Sequence, residues 1–328
     1  MKKIGLILCC LFLAAAVFAG CGGNDEKEGT ENSGEKLSVV TTIFPLYDWA
    51  AAVSGGDENA DLTLMLDNGV DLHSFQPTAD DIVTLSDCDV FIYVGGESDQ
   101  WVEDALKTAV NQDMIVVNLM DVLADDVKEE EVVEGMQAEE EAEEAEEEGP
   151  ELDEHVWLSL RNAVVCCGRI VEALGEADPE RKDVYAENAA AYVERLTELD
   201  TDYTAAVAEA AGDTLLFGDR FPFRYLVDDY GLSYYAAFVG CSAETEADFE
   251  TIAFLASKVD ELSLPAIMQI ETSDGTIAET IRSTTKTKDQ AILTLNSMQS
   301  TTAADIENGV TYLSVMEDNL AVLKKALQ

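Results

Sequence analysis

The sequence predicts an α/β protein with two lobes, each with a parallel-type sheet flanked by helices, bridged by one long rigid helix. Apolar runs of strand length alternate with segments of helical periodicity in both halves of the chain. The chain beyond residue 36 has about 290 residues, which is more than a single hydrophobic core usually holds. Between the two alternating halves, a stretch of about 33 residues contains no helix breaker.

The first half, which we expect to form a lobe over residues 37–177, begins with β-α-β alternation. Pro45 lies near the first turn of the helix after the first strand, where its missing N–H costs nothing. Thr78 and Asp81 have the arrangement of a capping box at the start of a later helix. Strands separated by helices in this way pair in parallel. The apolar runs predict strands at 37–43, 61–66, 89–95 and 114–119.

A long helix is predicted to link this half to a second lobe at residues 212–328. Asp178 and Pro179 have the residue types of an N-cap and a first helical position. A helix over 178–211 would be roughly 50 Å long at 1.5 Å per residue, so it should brace both lobes. The apolar runs that follow predict strands at 214–219, 233–240, 265–271 and 290–296, and a final amphipathic helix at about 303–327.

The N-terminus has the pattern of an export signal at residues 1–20. Lys2 and Lys3 precede an apolar stretch that is somewhat short for a transmembrane helix, and small residues precede Cys21. This arrangement resembles a bacterial lipobox, which implies that Cys21 is the lipidated first residue of an extracytoplasmic protein anchored to the cell membrane. An ordinary signal peptide with a chance cysteine is the alternative. Residues 21–36 are rich in Gly, Asn, Ser and charge, which predicts a flexible tether.

The chain carries a net charge of −48, part of which lies in an acidic segment at 125–149. A surface this negative repels nucleic acid, which excludes DNA and RNA binding. Residues 125–148 contain 14 acidic residues and one Lys, so we expect a solvated, mobile loop inserted into the first lobe. Such a loop could collect cations, or it could be a solvated charge run and no more.

Four cysteines lie beyond the signal and the predicted lipid anchor, and their spacing matches neither a CxxC motif nor a zinc ribbon. Cys88, Cys166 and Cys167 fall in apolar patterns, so we expect small buried side chains there. Cys241 follows a predicted strand, and whether its side chain is buried stays open.

Polar side chains follow several predicted strands at their carboxyl ends, where open α/β sheets bind ligands. His73 lies in the loop after the second strand, and His155 follows the acidic segment. In the second half, Asp219 and Arg220 follow one strand and Glu271 follows another. Two imidazoles and two carboxylates from two lobes are a plausible donor set for a divalent transition metal, although their spacing matches no metal motif.

Several stretches of the sequence resemble one family, in the same order, across nearly the whole mature chain. They include DNGVDLHSFQPTADDIVTLSDCDVFIYVGG, DEHVWLSL and FRYLVDDYGL. The family is that of the zinc/manganese substrate-binding lipoproteins of ABC importers, known as cluster A-I receptors. The resemblance implies two lobes with a metal ion between them, held by His73 and His155. Glu271 matches a carboxylate position of the zinc-binding members.

The position of the family's third metal-binding His differs in this chain. Arg220 occupies it, and a guanidinium has no free acceptor with which to bind a metal. Either Asp219 takes over as a ligand, or Arg220 pairs with Glu271 and weakens or abolishes the site. Cys241, in a loop after a strand, is a further candidate as a soft ligand.

A smaller difference precedes the second His. Glu154 stands where the family usually has Pro. Asp153 and Glu154 could orient His155 as hydrogen-bond acceptors, or they could be the tail of the acidic segment.

These residues favour a receptor that captures Zn²⁺, more readily than Mn²⁺, outside the membrane and delivers it to the permease of an ABC importer. We expect a monomer that contacts the permease subunits and, through its lipid, the membrane. The alternative is a lipid-anchored adhesin or scaffold of the same fold that has lost high-affinity metal binding, for which Arg220 is the main support. A zinc hydrolase would need an open coordination position and a general base, and neither is visible in the sequence, so we predict that the chain is not an enzyme.

Overall fold

The computed structural model describes residues 36–137, 151–242 and 246–328. The predicted signal peptide, Cys21 and almost all of the tether lie outside these ranges, as do residues 138–149 of the acidic segment. The described residues belong to one compact unit. None of their helices is long and apolar enough to cross a bilayer.

A four-stranded parallel sheet forms the centre of the first half. Its strands are β1 (Leu37–Thr41), β2 (Ala60–Leu64), β3 (Val90–Tyr93) and β4 (Ile115–Asn118). They pair in the order β2-β1-β3-β4, and each overlaps a strand that the sequence predicts. The helices of this half are α1 (Phe44–Ser54), α2 (Ala79–Asp87), α3 (Trp101–Lys107), α4 (Leu119–Leu123) and α5 (Leu160–Ala177).

A second parallel sheet of four strands forms the centre of the second half. Its strands are β5 (Thr214–Phe221), β6 (Ser233–Val239), β7 (Ala266–Ile270) and β8 (Ala291–Leu295). They pair in the order β6-β5-β7-β8. The helices after the long connecting helix are α7 (Arg224–Tyr230), α8 (Phe249–Leu262), α9 (Thr276–Thr284), α10 (Ala303–Glu307) and α11 (Tyr312–Ala326). Two parallel sheets flanked by helices confirm the predicted fold class.

The predicted helix starts in the first half are confirmed. Pro45 lies in the first turn of α1. Thr78 and Asp81 form a capping box at the start of α2, in which the Thr78 hydroxyl accepts from the Asp81 N–H at 3.2 Å. This box fixes the end of the loop that follows β2 and carries His73.

The long helix is α6 (Lys182–Ala208), whose 27 residues span roughly 40 Å. It packs against α1 and α5 of the first half and against α7 and α11 of the second, so it braces both halves as predicted.

The predicted N-cap of this helix at Asp178 is wrong. The Asp178 N–H donates to the Leu174 carbonyl at 2.8 Å, so Asp178 ends α5 instead. Its carboxylate binds the Arg181 guanidinium and the Tyr185 hydroxyl, and it accepts from the backbone N–H groups of the turn. This carboxylate therefore folds the turn between two helices, and α6 begins four residues later than predicted.

The single final helix predicted at 303–327 is two helices. Gly309, with φ of 89°, ends the short α10 in a left-handed conformation. Thr311 then starts α11 with its own capping box to Ser314. Glycine at a positive φ and a new cap stop and restart the helix, although the apolar periodicity continues through both.

A continuous hydrophobic core joins the two halves. Trp49 of α1 packs edge-on against Tyr312 of α11, with ring centroids 5.2 Å apart. The Tyr312 hydroxyl donates to the Trp157 carbonyl at 2.7 Å, and the Trp157 indole N–H donates to the Ser297 carbonyl at 2.8 Å. The three cysteines predicted to be buried are fully buried in this core: Cys88, Cys166 and Cys167.

The start of the acidic segment, residues 127–137, pairs with residues 151–153 and reaches the second half, and we call it the strap. Asp153 N–H donates to the Lys128 carbonyl at 2.9 Å and Glu130 N–H to the Glu151 carbonyl at 2.8 Å, as in an antiparallel pair. At its far end, Gln137 N–H donates to the Ala237 carbonyl of β6 at 3.0 Å. The prediction of a mobile loop is therefore wrong for the strap, because its backbone is hydrogen-bonded at both ends.

Candidate metal centre

His73 lies in a single 3-10 turn in the loop after β2. The Asp71 carboxylate caps this turn by accepting from the His73 N–H at 3.1 Å. The Nδ1 atom of His73 lies 2.9 Å from the Ser98 hydroxyl in the loop after β3. Residues of the loops after β2 and β3 thus hold the backbone and the ring of His73, and its Nε2 atom points away from Ser98.

His155 is fully buried, and its orientation is fixed by Asp153. One Asp153 carboxylate oxygen lies 2.9 Å from both the His155 N–H nitrogen and the ring Nδ1. The Trp157 ring packs beside the imidazole at 5.2 Å between centroids. On another side, Gly240 at the end of β6 approaches the ring so closely that an added Cβ would meet Cε1 at 3.0 Å.

The two imidazoles converge, with their Nε2 atoms 3.2 Å apart. Two nitrogens bound to one tetrahedral zinc ion at about 2.0–2.1 Å each are about 3.3 Å apart. Both Nδ1 atoms contact oxygen atoms, which is the arrangement that directs Nε2 towards a metal. The spacing and the orientation of the pair therefore fit two ligands of one ion.

Cys241, just after β6, completes a group of three side chains with metal-ligating atoms. Its sulfur and the histidine nitrogens all lie within 4.8 Å of one another. The two histidines come from loops of the first half and Cys241 comes from the second. The group thus brings donors from both halves to one point.

The electrostatics of the group depend on burial and on nearby carboxylates. Burial and the neighbouring His155 lower the pKa of His73, so His73 is neutral. Burial alone would lower the pKa of His155, but the carboxylates of Asp153 and Glu154 outweigh it and raise that pKa. Burial and the Glu130 carboxylate raise the pKa of the Cys241 thiol. Protons would therefore have to leave when a cation binds here.

The Glu154 carboxylate also lies beside the His73 imidazole. One of its carboxylate oxygens accepts from the Ser98 N–H at 2.8 Å. The other lies 3.8 Å from the His73 Nδ1 and, like the side-chain oxygen of Gln299, is buried without a hydrogen-bond partner among the described residues. Asp153 and Glu154 thus each face a different imidazole.

Asp219 and Glu271 do not belong to the group of three. The Asp219 carboxylate accepts from the Arg220 N–H at 2.9 Å and from the Ile270 N–H at 3.2 Å. The Glu271 carboxylate accepts from the N–H and the hydroxyl of Ser297, at 2.7 and 2.9 Å. Each is occupied by donors of its own half, and their roles as ligands remain predictions.

Arg220 pairs with Asp71, and not with Glu271 as one alternative had it. This ion pair joins the end of β5 to the loop that carries His73. It lies at a cavity of about 400 Å³ at the carboxyl ends of β5 and β7. Because Asp71 also caps the His73 turn, Arg220 is linked to the metal-ligating group through Asp71.

Three residues near the group escaped the sequence analysis: Ser98, Gln299 and Glu130. Ser98 and Gln299 follow β3 and β8 at their carboxyl ends, so the strand-end rule that found His73 could have found them. Glu130 gives no such signal, because it is one glutamate among many in the acidic segment.

The two parallel-sheet halves, with metal-ligating side chains of both halves gathered at one point, have the architecture of a two-lobed solute-binding receptor. The chain belongs to the ZnuA family, the zinc-uptake complex component A, periplasmic, whose model matches residues 39–326. This membership confirms the family resemblance, and the family description names a component of an uptake complex and not an enzyme.

Similar proteins carry names that refer to zinc. The chain is 31% identical over 331 residues to the zinc-binding lipoprotein AdcA of Streptococcus pneumoniae, covering 99% of this chain and 61% of AdcA. It is 28% identical over 322 residues to the high-affinity zinc uptake system protein ZnuA of Bacillus subtilis, covering 97% of each. The chain therefore spans about three-fifths of AdcA and nearly all of the Bacillus protein.

The fold also matches solved structures. The Zn(II)-bound ZnuA-like domain of S. pneumoniae AdcA superposes with a TM-score of 0.69 at 27% identity. The superposition covers 89% of this chain and 99% of that domain. This match places the whole described architecture within the fold of the AdcA domain.

Proposed function

We propose that this chain captures Zn²⁺ between its two halves, outside the membrane, and delivers it to the permease of an ABC importer. The observation that carries the proposal is the convergence of the His73 and His155 Nε2 atoms, 3.2 Å apart. The names of AdcA and of the Bacillus protein support the same cargo.

Zn²⁺ is proposed ahead of Mn²⁺ because of the donor atoms. Imidazole nitrogen suits zinc, whereas Mn²⁺ prefers carboxylate, carbonyl and water oxygens. The carboxylates that would favour Mn²⁺, those of Asp219 and Glu271, would first have to leave their present hydrogen-bond donors. Either could still join the ion on binding, which a titration of variants can test.

The location and the partners follow from the sequence and the family. We propose that the mature chain starts at a lipidated Cys21 and is held to the membrane surface by the tether. From there it would reach the permease subunits as a monomer. AdcA is longer and contains a region that this chain does not match. A role like that of AdcA is therefore part of this proposal.

The alternative, a scaffold without high-affinity metal binding, rested on Arg220. The contact of Arg220 with Asp71 leaves the two imidazoles free to converge, which favours the receptor.

Isothermal titration of the mature protein with Zn²⁺ and Mn²⁺ tests the proposal. We expect one tight zinc site in the wild type, lost in the His73→Ala and His155→Ala variants. Weak binding by the acidic segment remains in both variants and serves as the internal background. The Asp219→Asn and Glu271→Gln variants show whether either carboxylate contributes. A wild type that binds zinc no better than His73→Ala would leave the scaffold as the function.

A further inference from the structure

We propose that Cys241 supplies a thiolate ligand in place of the family's third histidine, so that the ion is held by two imidazoles and one sulfur. The inference rests on the proposed function, since it concerns the same ion. Its consequence is a centre that discriminates against Mn²⁺ by the type of its donor atoms.

The position of the sulfur supports direct ligation. It lies within 4.8 Å of the His73 and His155 nitrogens. With a zinc–sulfur bond of about 2.3 Å and a zinc–nitrogen bond of about 2.0–2.1 Å, the two donors on a tetrahedral ion are about 3.6 Å apart. The sulfur would have to move from its present position to this shorter distance from the nitrogens. Cys241 lies in a loop and is only partly buried, which leaves room for such a movement.

The other residues of the second half are less suited to take the missing place. Arg220 has no acceptor and pairs with Asp71. The Asp219 and Glu271 carboxylates are bound by backbone and side-chain donors. Among the described His, Cys, Asp and Glu residues of the second half, Cys241 is the one that forms a group with both imidazoles.

The backbone around Cys241 is held in place by the strap. The Cys241 N–H donates to the Glu130 carboxylate at 3.0 Å, and Glu130 is itself paired through its backbone with Glu151. The sulfur is not engaged in a disulfide. On binding, the thiol proton would leave to solvent as the sulfur forms its bond to the cation, so the step exchanges one proton for one metal–sulfur bond.

A sulfur donor changes which ions the centre accepts. Thiolates favour Zn²⁺ and other soft or borderline cations, whereas Mn²⁺ is bound best by oxygen. A donor set of two nitrogens and one sulfur therefore selects Zn²⁺ over Mn²⁺ more strongly than two imidazoles alone. Loss of the sulfur should reduce zinc affinity much more than manganese affinity.

Cobalt(II) substitution tests the inference, because a thiolate bound to Co²⁺ gives a charge-transfer absorption band in the near ultraviolet. We expect this band in the mature wild type and its loss in Cys241→Ser, with the visible d–d bands still present. Cys166→Ala is the matched control, since that cysteine is fully buried and does not belong to the metal-ligating group, and it should keep the band. In His73→Ala, Co²⁺ binding itself should fail.

The outcomes separate the two proposals. If the wild type binds no Co²⁺ or Zn²⁺ tightly, the receptor function fails and the thiolate with it. If the metal binds without the charge-transfer band, or if Cys241→Ser keeps the band, the thiolate alone is refuted.

X-ray absorption of the zinc-loaded wild type needs no variant, and it should give one sulfur at about 2.3 Å. In titrations, Cys241→Ser should lose more than the roughly 10–100-fold in zinc affinity that removal of an outer partner costs, and change little for Mn²⁺.

Discussion

Replacing Gly240 with Ala should displace His155 and weaken zinc binding. The added Cβ would lie 2.9 Å from the Phe221 carbonyl oxygen and 3.0 Å from the imidazole Cε1. Carbon atoms at optimal contact are about 3.5–4.0 Å apart, so the ring would have to move by roughly 0.5 Å or more. It cannot move freely, because it is fully buried and bonded to Asp153. Overpacking of this kind costs about 1–3 kcal/mol of the free energy of unfolding.

Urea unfolding of the metal-free protein and a zinc titration together test this prediction. We expect Gly240→Ala to lower the free energy of unfolding by that amount and to reduce zinc affinity at least about tenfold, as other losses of ligand orientation do. Gly168→Ala is the matched control. Nothing lies within 4 Å of a Cβ at this helical position, so Ala should be neutral or stabilise by about 1 kcal/mol. A Gly240→Ala protein that matches this control in both measurements would refute the packing argument.

Three further predictions concern the surroundings of the centre. Burial, with the nearby Glu154 carboxylate, raises the pKa of Asp99 to about 7, so the folded protein holds a proton that the unfolded chain releases. The free energy of unfolding should therefore fall as pH rises from about 4 to about 7, by at most about 4 kcal/mol, and Asp99→Asn should flatten this slope in urea titrations at several pH values. Arg220→Ala leaves Asp71 unpaired and should cost about 3 kcal/mol in urea unfolding, and the double variant with Asp71→Asn should recover part of that loss; an equally stable Arg220→Ala would contradict a structural ion pair. Tyr225→Phe removes the hydroxyl that donates to the Asp153 carbonyl and accepts from the Lys128 N–H, so the strap should exchange its amide hydrogens faster, whereas unchanged exchange would mean that other contacts hold it.

The strands and the two histidines could be predicted because their signals are local. Apolar runs of strand length fix the sheets, and the strand-end rule finds His73 without knowledge of the pairing order. The boundaries of the helices are harder to predict from the sequence. Asp178 has the residue type of an N-cap, but whether it caps the next helix or ends the previous one depends on the hydrogen bonds of the turn.

The rest of the centre could not be predicted, because it depends on contacts between segments that are distant in sequence. Arg220 faces either Asp71 or Glu271 depending on how the two halves approach each other. The approach of Cys241 to His155, 86 positions earlier in the chain, depends on the same geometry. Composition predicts solvation, but it carries no signal of the backbone hydrogen bonds that hold the strap to residues 151–153 and to β6.

The antiparallel bridge between Glu129 and Leu152 brings the two ends of the acidic segment to one place. Gln137 and Glu151 are also held by backbone hydrogen bonds, so the connection between them starts and ends at fixed points, and doubling the length of a loop costs only about 0.6 kcal/mol. Insertions or deletions after Gln137 should leave the positions of Asp153 and His155 unchanged. The length and charge of this connection could therefore change without altering how the His73 and His155 imidazoles converge.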